Sequence, residues 1–183
     1  MNDNVQPPDL RNVVDRFKNK SVEDIKNILQ SESFPFHVAI ENFQHDFNIG
    51  SIVRSANAFN AKAVHIIGKR HWNRRGAMST EKYLDVFHYP DTENFIQWTT
   101  SNKLPIIAVD NVTDSNDITG IQLPRECVLV FGQEGPGLSP DMLHAAHNIV
   151  RIEQYGSTRS INVGAAAAIV MYQWLLTNHT KGV

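Results

Sequence analysis

The sequence predicts an α/β domain with a mostly parallel sheet that helices cover on both faces. Short continuous runs of Val, Ile and Leu recur along the chain, and segments with helical periodicity separate them. Such continuous apolar runs are typical of strands buried on both faces, as in parallel sheets. The 183 residues suffice for one domain with a substantial core, and a hydrophobic content of 42% is ordinary for a globular protein.

The first 35 residues are predicted to be a helical extension, followed by the main domain at 36–183. Two short helices are predicted within residues 9–30. The first is indicated by the apolar spacing i, i+3, i+4, i+7 of Leu10, Val13, Val14 and Phe17. The second is indicated by its start, Ser21-x-x-Asp24, which resembles a capping box. The extension carries five Lys and Arg side chains, so one interpretation places it near a phosphate backbone. We expect instead that it packs on the domain or on a second subunit.

From residue 36 onwards, predicted strands and helices alternate. The strands are predicted at 38–40, 63–67, 106–109, 127–131 and 149–152, and the helices at 49–59, 79–84, 92–100, from Ser139-Pro140 onwards, and at 163–176. Serine followed by proline is a typical N-cap and first turn. The last helix has almost no polar face, so we expect it to be buried.

Composition excludes several classes of protein. The single cysteine, Cys127, excludes an internal disulfide framework and argues against a thiolate metal site, and no histidine spacing indicates a metal ligand set. No apolar run approaches the ~18 residues of a membrane span, and the N-terminus lacks the pattern of a signal peptide. We therefore expect a cytoplasmic protein without a membrane segment and without a metal.

Three loops that follow predicted strands carry unusual polar residues, and ligands collect at this end of an α/β sheet. The first loop, residues 41–50, leads to Arg54, and Asn48 in it fits an N-cap. Arg54 should point back towards this loop, where it would clamp a phosphate or carboxylate. The alternative is an exposed arginine on a surface helix.

The second loop, residues 132–137, contains three glycines around Glu134. It is neither a P-loop nor a dinucleotide turn, but its glycines permit close approach of a ligand to the backbone. The third loop places Ser160 and Asn162 where the last helix needs caps, and where free N–H groups hold a polar ligand. Its alternative interpretation is a capped core helix without any site.

A basic loop, Lys69–Arg75, combines four cations with a histidine and a tryptophan. Such a segment can neutralise phosphates and stack a base, so its cations are candidate RNA contacts: Lys69, Arg70, Arg74 and Arg75. The net charge of −2 and the pI of about 6.4 are not those of a typical nucleic-acid binder. The alternative is a solvated surface loop.

Together the three loops resemble the signature motifs of the SpoU/TrmH family of the SPOUT superfamily. The matching segments occur in the family's order: Asn48-x-Gly50-x-x-x-Arg54, then Phe131-Gly-Gln-Glu-Gly-Pro-Gly-Leu138, then Ser160-Ile-Asn-Val163. The resemblance implies an S-adenosylmethionine-dependent RNA 2′-O-methyltransferase that acts on a ribose of tRNA or rRNA. It also implies a C-terminal deep trefoil knot, and a homodimer whose active sites lie at the subunit interface.

The resemblance also implies roles for individual residues. The cofactor would be held by Asp110, Gly132, Ile152 and Ile161, and the catalytic group would be Asn48, Arg54, Glu134, Ser160 and Asn162. Arg54 has two candidate roles, because a guanidinium is a poor base: it either loses a proton with assistance from the substrate, or stays cationic and stabilises the developing alkoxide. The chain departs from the family at Glu153-Gln154, where proline and an apolar residue are usual.

Two alternatives to this function are open at this point. A non-catalytic RNA-binding relative or dimeric scaffold would keep the fold without turnover, although the intact motif residues argue against it. An RNA base methyltransferase, as in other SPOUT families, fits these motifs less well.

Overall fold

The computed structural model describes residues 9–44 and 48–179. Its strands form one seven-stranded sheet in the order β3-β2-β1-β6-β4-β7-β5. All six pairings between neighbouring strands are parallel. The strands are β1 (Phe36–Asn42), β2 (Val64–Gly68), β3 (Val86–Tyr89), β4 (Ile106–Val109), β5 (Asn116–Asp117), β6 (Cys127–Phe131) and β7 (Asn148–Arg151). The predicted mostly parallel sheet is confirmed.

Helices cover both faces of this sheet. Their bounds are α1 (Val22–Ser31), α2 (Ile49–Ala58), α3 (Thr92–Ser101), α4 (Pro140–Ala145) and α5 (Val163–Asn178). One core layer joins α2 and α5 to the sheet, and the other contains Phe95 of α3 and Met142 of α4. Within the described ranges, no helix has the length and apolar character needed to cross a membrane.

Central strands β1 and β6 show why the sequence favoured a parallel sheet. Every residue of β6 is buried, as are all but one in β1. On the α5 face, the Phe36 ring lies 4.5 Å from the Trp174 ring, and the Trp174 indole N–H donates to the Pro124 carbonyl at 2.9 Å. Burial of such large aromatic side chains contributes strongly to the stability of the core.

The N-terminal segment contains one α-helix rather than the two predicted. Ser21 caps α1 by accepting from the Asp24 N–H at 3.0 Å, as predicted, but residues 9–20 contain only a 3₁₀ turn at Asp15–Phe17. The predicted first stripe does not form, since Leu10 is 89% exposed and Val14 63%. Phe17 and Ile25 pack against Tyr83 of the main domain, which favours the packed arm over the phosphate contact.

The two edge strands of the sheet, β3 and β5, were not predicted, and one predicted helix is a turn. Strand β3 lies at the sheet edge and β5 has only two residues, so neither carries a continuous apolar run. The helix predicted at 79–84 is only a 3₁₀ turn, Thr80–Lys82. Met78 and Ser79 just before it adopt left-handed backbone conformations, which an α-helix does not accommodate.

Helix α5 is not wholly buried, and that prediction was wrong for one face. Trp174, Met171 and Val170 are buried, but an exposed stripe runs along the opposite side. The large apolar members of this α5 stripe are Ile169, Tyr172 and Leu176, which are 45%, 53% and 40% exposed. An apolar stripe of this kind is unusual on a free surface.

Candidate active site

The three motif loops meet at the carboxyl ends of the strands, as the sequence predicts. The Asn48 amide donates to Glu134 Oε2 at 2.7 Å, and the Asn162 amide donates to Asn48 Oδ1 at 2.8 Å. A longer contact of 3.4 Å joins Asn162 Nδ2 to Glu134 Oε1. We call these three residues the polar cluster. It joins positions up to 114 residues apart in the chain.

Asn162 has a second role as the N-cap of α5. Its Oδ1 accepts from the N–H groups of Gly164 and Ala165 at 2.9 and 3.2 Å, so the amide group is fixed by the helix terminus. Asn48 precedes α2, but its side chain makes no cap hydrogen bond. Asn48 is the N-cap residue of α2, as predicted, but its backbone is already helical, and its amide takes part in the polar cluster instead of capping the helix.

The glycine loop is shaped by contacts of backbone with backbone. Gln133 and Gly137 exchange two hydrogen bonds of 3.1 Å, which closes a tight turn with Glu134 at its exposed tip. A Cβ on Gly132 would lie 2.3 Å from the Gly137 carbonyl carbon, so no side chain fits there. Gly137 has a φ of +72°, a conformation that glycine adopts without strain. The turn therefore presents Glu134 in one orientation.

Asp110, at the end of β4, holds this turn in place. One carboxylate oxygen accepts from the Leu138 N–H at 2.9 Å and the other from the Asn111 N–H at 2.8 Å. The same carboxylate occupies the space beside Gly137, where an added Cβ would lie 2.7 Å from Asp110 Oδ2. Its visible role is therefore to fix the glycine loop, besides lining the cavity described next.

A cavity opens beside the polar cluster, and all four predicted cofactor residues line it: Asp110, Gly132, Ile152 and Ile161. Glu134 and Ser160 line the same cavity, with apolar walls from Val109, Val163 and Ala166. Gln154 contributes a buried side-chain oxygen that has no hydrogen-bond partner among the described residues. An acceptor left unpaired in a cavity is suited to a ligand that brings a donor.

Arg54 takes no part in the hydrogen bonds of the polar cluster. Its side chain is exposed, and no residue in the described ranges forms a hydrogen bond or ion pair with it. It shares the exposed face of α2 with Ser51 and Ala58. The clamp role of Arg54 therefore stays a prediction.

The basic loop is attached to both β1 and α2. The buried Asn42 amide donates to the carbonyls of Lys69 and His71 at 2.6 and 3.2 Å. An added Cβ on Gly50 would lie 2.8 Å from the Ala77 nitrogen, so α2 touches the turn that ends this loop. The four predicted RNA contacts, Lys69, Arg70, Arg74 and Arg75, are all exposed.

Sequence analysis missed two residues of this region. Asn42 ends β1 and is fully buried, and a buried amide is itself an indication of a specific hydrogen-bonding role. Gln154 departs from the family pattern, but no feature of the sequence indicated that its side chain would face the cavity. Within the described ranges, no cluster of His, Cys, Asp and Glu is arranged to hold a metal.

The sequence model of the SpoU rRNA Methylase family matches residues 35–172. The chain belongs to this family. The Mycoplasma genitalium relative named as a putative tRNA (cytidine(34)-2′-O)-methyltransferase is 33% identical over 145 residues, 72% of this chain and 84% of that protein. The Borreliella burgdorferi tRNA (guanosine(18)-2′-O)-methyltransferase is 25% identical over 83% of this chain and 71% of its own length. Both names specify ribose 2′-O-methylation, the reaction that the motifs predict.

Solved structures of this SpoU family share the fold. The A. aeolicus TrmH/SpoU tRNA modifying enzyme superposes with a TM-score of 0.77 at 21% identity, over 88% of this chain and 84% of that one. The SpoU methyltransferase AviRb from Streptomyces viridochromogenes, solved in complex with AdoMet, has a TM-score of 0.70 at 22% identity over 78% of this chain. This chain spans 58% of the AviRb chain.

Proposed function

We propose that this SpoU family protein transfers a methyl group from S-adenosylmethionine to a ribose 2′-hydroxyl of tRNA. The observation that carries the proposal is the polar cluster at the mouth of the cavity. Three motif residues from distant loops, Asn48, Glu134 and Asn162, are joined there by hydrogen bonds. Capping of α5 requires only Asn162 and does not explain why Asn48 and Glu134 are bonded to it. The convergence of all three residues therefore argues for a reaction site.

The residues that line the cavity fit the cofactor. Ile152, Ile161 and Val163 supply apolar surface for an adenosine, and the unpaired Gln154 oxygen supplies an acceptor for one of its donors. Gly132 keeps the backbone accessible, because no side chain lies between it and the ligand. The bound cofactor would supply an electrophilic methyl group, so the protein must mainly align the ribose hydroxyl and accommodate its proton.

The polar cluster would orient the substrate ribose. Glu134 is held by the Asn48 and Asn162 amides, so its carboxylate has a fixed direction from which it accepts a hydrogen bond from a hydroxyl. Ser160 lies on the cavity wall nearby, where its hydroxyl would contact cofactor or ribose. Arg54 would stabilise the developing alkoxide or assist in removing the proton.

The protein is proposed to act as a homodimer. The α5 stripe is apolar and exposed, and it lies beside α2, since the rings of Tyr172 and Phe59 are 6.1 Å apart. Arg54 projects from the exposed face of the same α2. A second subunit that covers these helices would bury the stripe and bring Arg54 to a subunit interface, where it would meet a polar cluster.

The substrate RNA is proposed to be tRNA, because the relatives described above are named for tRNA positions. The exposed cations of the basic loop would contact its phosphates. We place the reaction in the cytoplasm, where tRNA is modified. We also propose that residues 1–35 are an extension outside the methyltransferase domain, consistent with a family match that begins at residue 35. The C-terminal part is proposed to form the family's knot.

The direct test is methylation of total tRNA by the purified protein with labelled cofactor, followed by nucleoside analysis. We expect label in 2′-O-methylated nucleosides. Label in a methylated base instead would support the base methyltransferase alternative. Cofactor binding or RNA binding without any transfer would support the scaffold alternative.

The dimeric site has its own test in mixed dimers. Arg54→Ala and Asn162→Ala subunits are each expected to be inactive as homodimers. If Arg54 serves the polar cluster of the partner subunit, co-refolding the two variants produces dimers with one intact site and restores part of the activity. If the mixture stays inactive although mass analysis shows mixed dimers, all catalytic residues come from one subunit.

A further inference from the structure

A second groove lies at the β3 edge of the sheet, outside the cavity proposed for the cofactor. We call it the edge groove. Its polar lining consists of Arg70, Arg74, Glu81, Lys82 and His88, and Trp72 and Phe87 add aromatic surface. Only Arg70 and Arg74 belong to the RNA contacts expected from the sequence. The others come from the 3₁₀ turn, from β3 and from the middle of the basic loop.

The cations of the edge groove suit a phosphate. Arg70, Arg74 and Lys82 are all exposed, and none of the three forms an ion pair with a described residue. Three unpaired cations around one depression attract an anion, and RNA phosphates are the anions at hand for an RNA methylase. Cations alone would not distinguish this groove from a solvated surface.

Trp72 supplies a flat surface beside these charges. The indole is partly buried and packs against the core, which fixes its orientation. The Arg74 guanidinium carbon lies 5.7 Å from the centre of the Trp72 ring. An aromatic ring held next to a guanidinium is a typical platform for an unpaired base, since every base has a π-face.

Glu81 is the feature that a phosphate alone does not explain. A carboxylate in a phosphate site would repel the ligand. One of its oxygens, Oε2, is also buried without a hydrogen-bond donor in the described part of the chain. Amino groups of bases are such donors, as in the pairing of Glu or Asp with cytosine N4. Cations, an aromatic platform and an unsatisfied acceptor together match a complete nucleotide.

The edge groove is fixed relative to the catalytic helix. The backbone of Gly76 lies so close to α2 that an added Cβ would be 3.0 Å from the Ser51 nitrogen, and Gly50 makes the reciprocal contact. Asn42 ties the start of the basic loop to β1. A nucleotide held in the groove would therefore stand at a constant distance from Asn48, at the start of α2.

We propose that the edge groove binds one unpaired nucleotide of the substrate RNA, with its base stacked on Trp72 and hydrogen-bonded to Glu81 and its phosphate held by Arg70, Arg74 and Lys82. The proposal rests on the proposed function in that the ligand is the RNA substrate. It adds that recognition requires an unpaired base outside the reaction site. Such a base would set which loops of an RNA are methylated.

The test combines groove variants with abasic nucleotides. A tRNA stem-loop that the protein binds is prepared with an abasic nucleotide at each unpaired position in turn, and affinities are measured for wild-type protein, Trp72→Leu and Lys82→Glu. Lys103→Glu is the matched control, since Lys103 is an exposed lysine in the loop before β4 and does not line the edge groove. Cofactor binding is measured in parallel for every variant.

For wild-type protein we expect one position, other than the methylated one, at which loss of the base weakens binding about fivefold or more. In Trp72→Leu the same abasic RNA should bind no worse than the intact RNA. Lys82→Glu should weaken all RNAs and flatten the salt dependence, whereas Lys103→Glu should do neither. Glu81→Gln should change which base is preferred at that position.

Each result decides the proposal. If no such position exists, or if Trp72→Leu leaves the abasic effect intact, the edge groove does not bind a nucleotide, even where methylation itself is normal. Should Trp72→Leu fail to fold, Lys82→Glu alone decides: an effect no larger than that of Lys103→Glu overturns the proposal. If loss of one base weakens binding and Trp72→Leu removes that effect, but no methyl group is transferred, the edge groove binds a nucleotide and the proposed function is wrong.

Discussion

The sheet carries two groups of polar side chains, one exposed and one buried. The polar cluster lies at the exposed carboxyl ends of the strands, where Glu134 and Asn162 are exposed. The other group, the histidine cluster, is buried under α3: His37 Nδ1 lies 2.9 Å from His65 Nε2, and His65 Nδ1 lies 3.3 Å from the Tyr89 hydroxyl. Aromatic rings surround His65, including Trp98 at 4.3 Å.

The difference lies in what each group can do with a proton. Burial lowers the pKa of His65 to about 3 and, together with the nearby Lys62 charge, that of His37 to about 4. Both rings therefore stay neutral at physiological pH and act as hydrogen-bonded core groups. In the polar cluster the Glu134 carboxylate is exposed and is held by amide donors. A pair of histidines is thus a weaker indication of catalysis here than three residues of other types at a loop junction.

The largest expected effect is on Arg54, which belongs to neither cluster within one chain. Arg54→Ala should lower methyl transfer about 1,000-fold or more, because it removes the cation proposed to stabilise the alkoxide. Thermal stability and cofactor affinity should stay close to those of wild-type protein, since the side chain is exposed and unpaired. Single-turnover methylation of tRNA measures the first effect, and calorimetry the other two.

Arg54→Lys distinguishes the two proposed roles of this arginine. Lysine keeps the charge but loses the planar fork, and it releases a proton more easily. If Arg54 is an electrostatic clamp, Lys should be nearly as inactive as Ala at every pH. If Arg54 is a base, activity of the lysine variant should rise as the pH approaches the ordinary lysine pKa, near ~10.4. Wild-type turnover in Arg54→Ala would exclude both roles.

Asn162 allows the structural and catalytic parts of the polar cluster to be separated. In Asn162→Asp one oxygen can still accept from Gly164 and Ala165, so α5 keeps its cap, but the donor to Asn48 is lost and two oxygens face each other. We expect about a 100-fold loss of methyl transfer with unchanged stability. Asn162→Ala should lose similar activity and also about 1 kcal/mol of stability.

The opposite result would show that Asn162 has only a structural role, as the cap of α5. That interpretation requires Asn162→Asp to be nearly fully active and Asn162→Ala to be impaired only in proportion to its stability. Denaturant unfolding and initial rates on the same preparations decide between the two.

Sequence patterns predicted the elements whose determinants are local. Buried strands β4 and β6 were predicted with their observed limits, because continuous apolar runs and flanking turn residues define them. The motif loops were predicted to converge, since parallel strands place their carboxyl ends at one edge. Edge strand β3 was missed because half-exposed Phe87 and His88 leave no continuous apolar run.

The remaining errors concern tertiary contacts, which no local pattern encodes. Asn48 was expected to cap α2, but Glu134 and Asn162, far away in sequence, compete for its amide. Burial of α5 was overestimated because its composition does not distinguish a core helix from a helix with one exposed apolar face. The edge groove includes Glu81, whose unpaired oxygen is visible only once neighbouring side chains are in place.

The histidine cluster should make the protein acid-sensitive. Since both folded-state pKa values lie below the ordinary histidine value of ~6.5, the unfolded chain binds more protons below that pH. The stability these neutral rings contribute is therefore complete above about pH 6.5 and declines as the pH falls towards 4. Each of the two rings should contribute a loss of about 2 kcal/mol between pH 7 and pH 5, measured by denaturant unfolding.

A double variant isolates this contribution from other titrating groups. His37→Phe/His65→Phe replaces both hydrogen-bonding partners by apolar rings, which can be nearly neutral for stability at pH 7. Its loss of stability on acidification should be smaller than that of wild-type protein, while His71→Gln, at an exposed site in the basic loop, should behave like wild type. Parallel curves for all three proteins would show that the cluster does not set the acid response.

The smallest expected effect comes from Tyr89→Phe, which removes only the last hydroxyl of the histidine cluster. The bond from His65 to this hydroxyl is long, at 3.3 Å, and the stronger contact to His37 remains. The loss of unfolding free energy should therefore be about 1 kcal/mol or less, at the low end for a lost buried hydrogen bond.

Burial raises the pKa of Tyr89 to about 12, so wild-type protein should lose stability between about pH 10 and 12, where the unfolded tyrosine ionises first. Tyr89→Phe should lack that alkaline loss and keep full methyl transfer, because the hydroxyl lies under α3, away from the polar cluster. A drop in transfer at constant stability would mean that the two clusters communicate through the sheet, and that the contrast between an open and a sealed group of polar side chains does not hold.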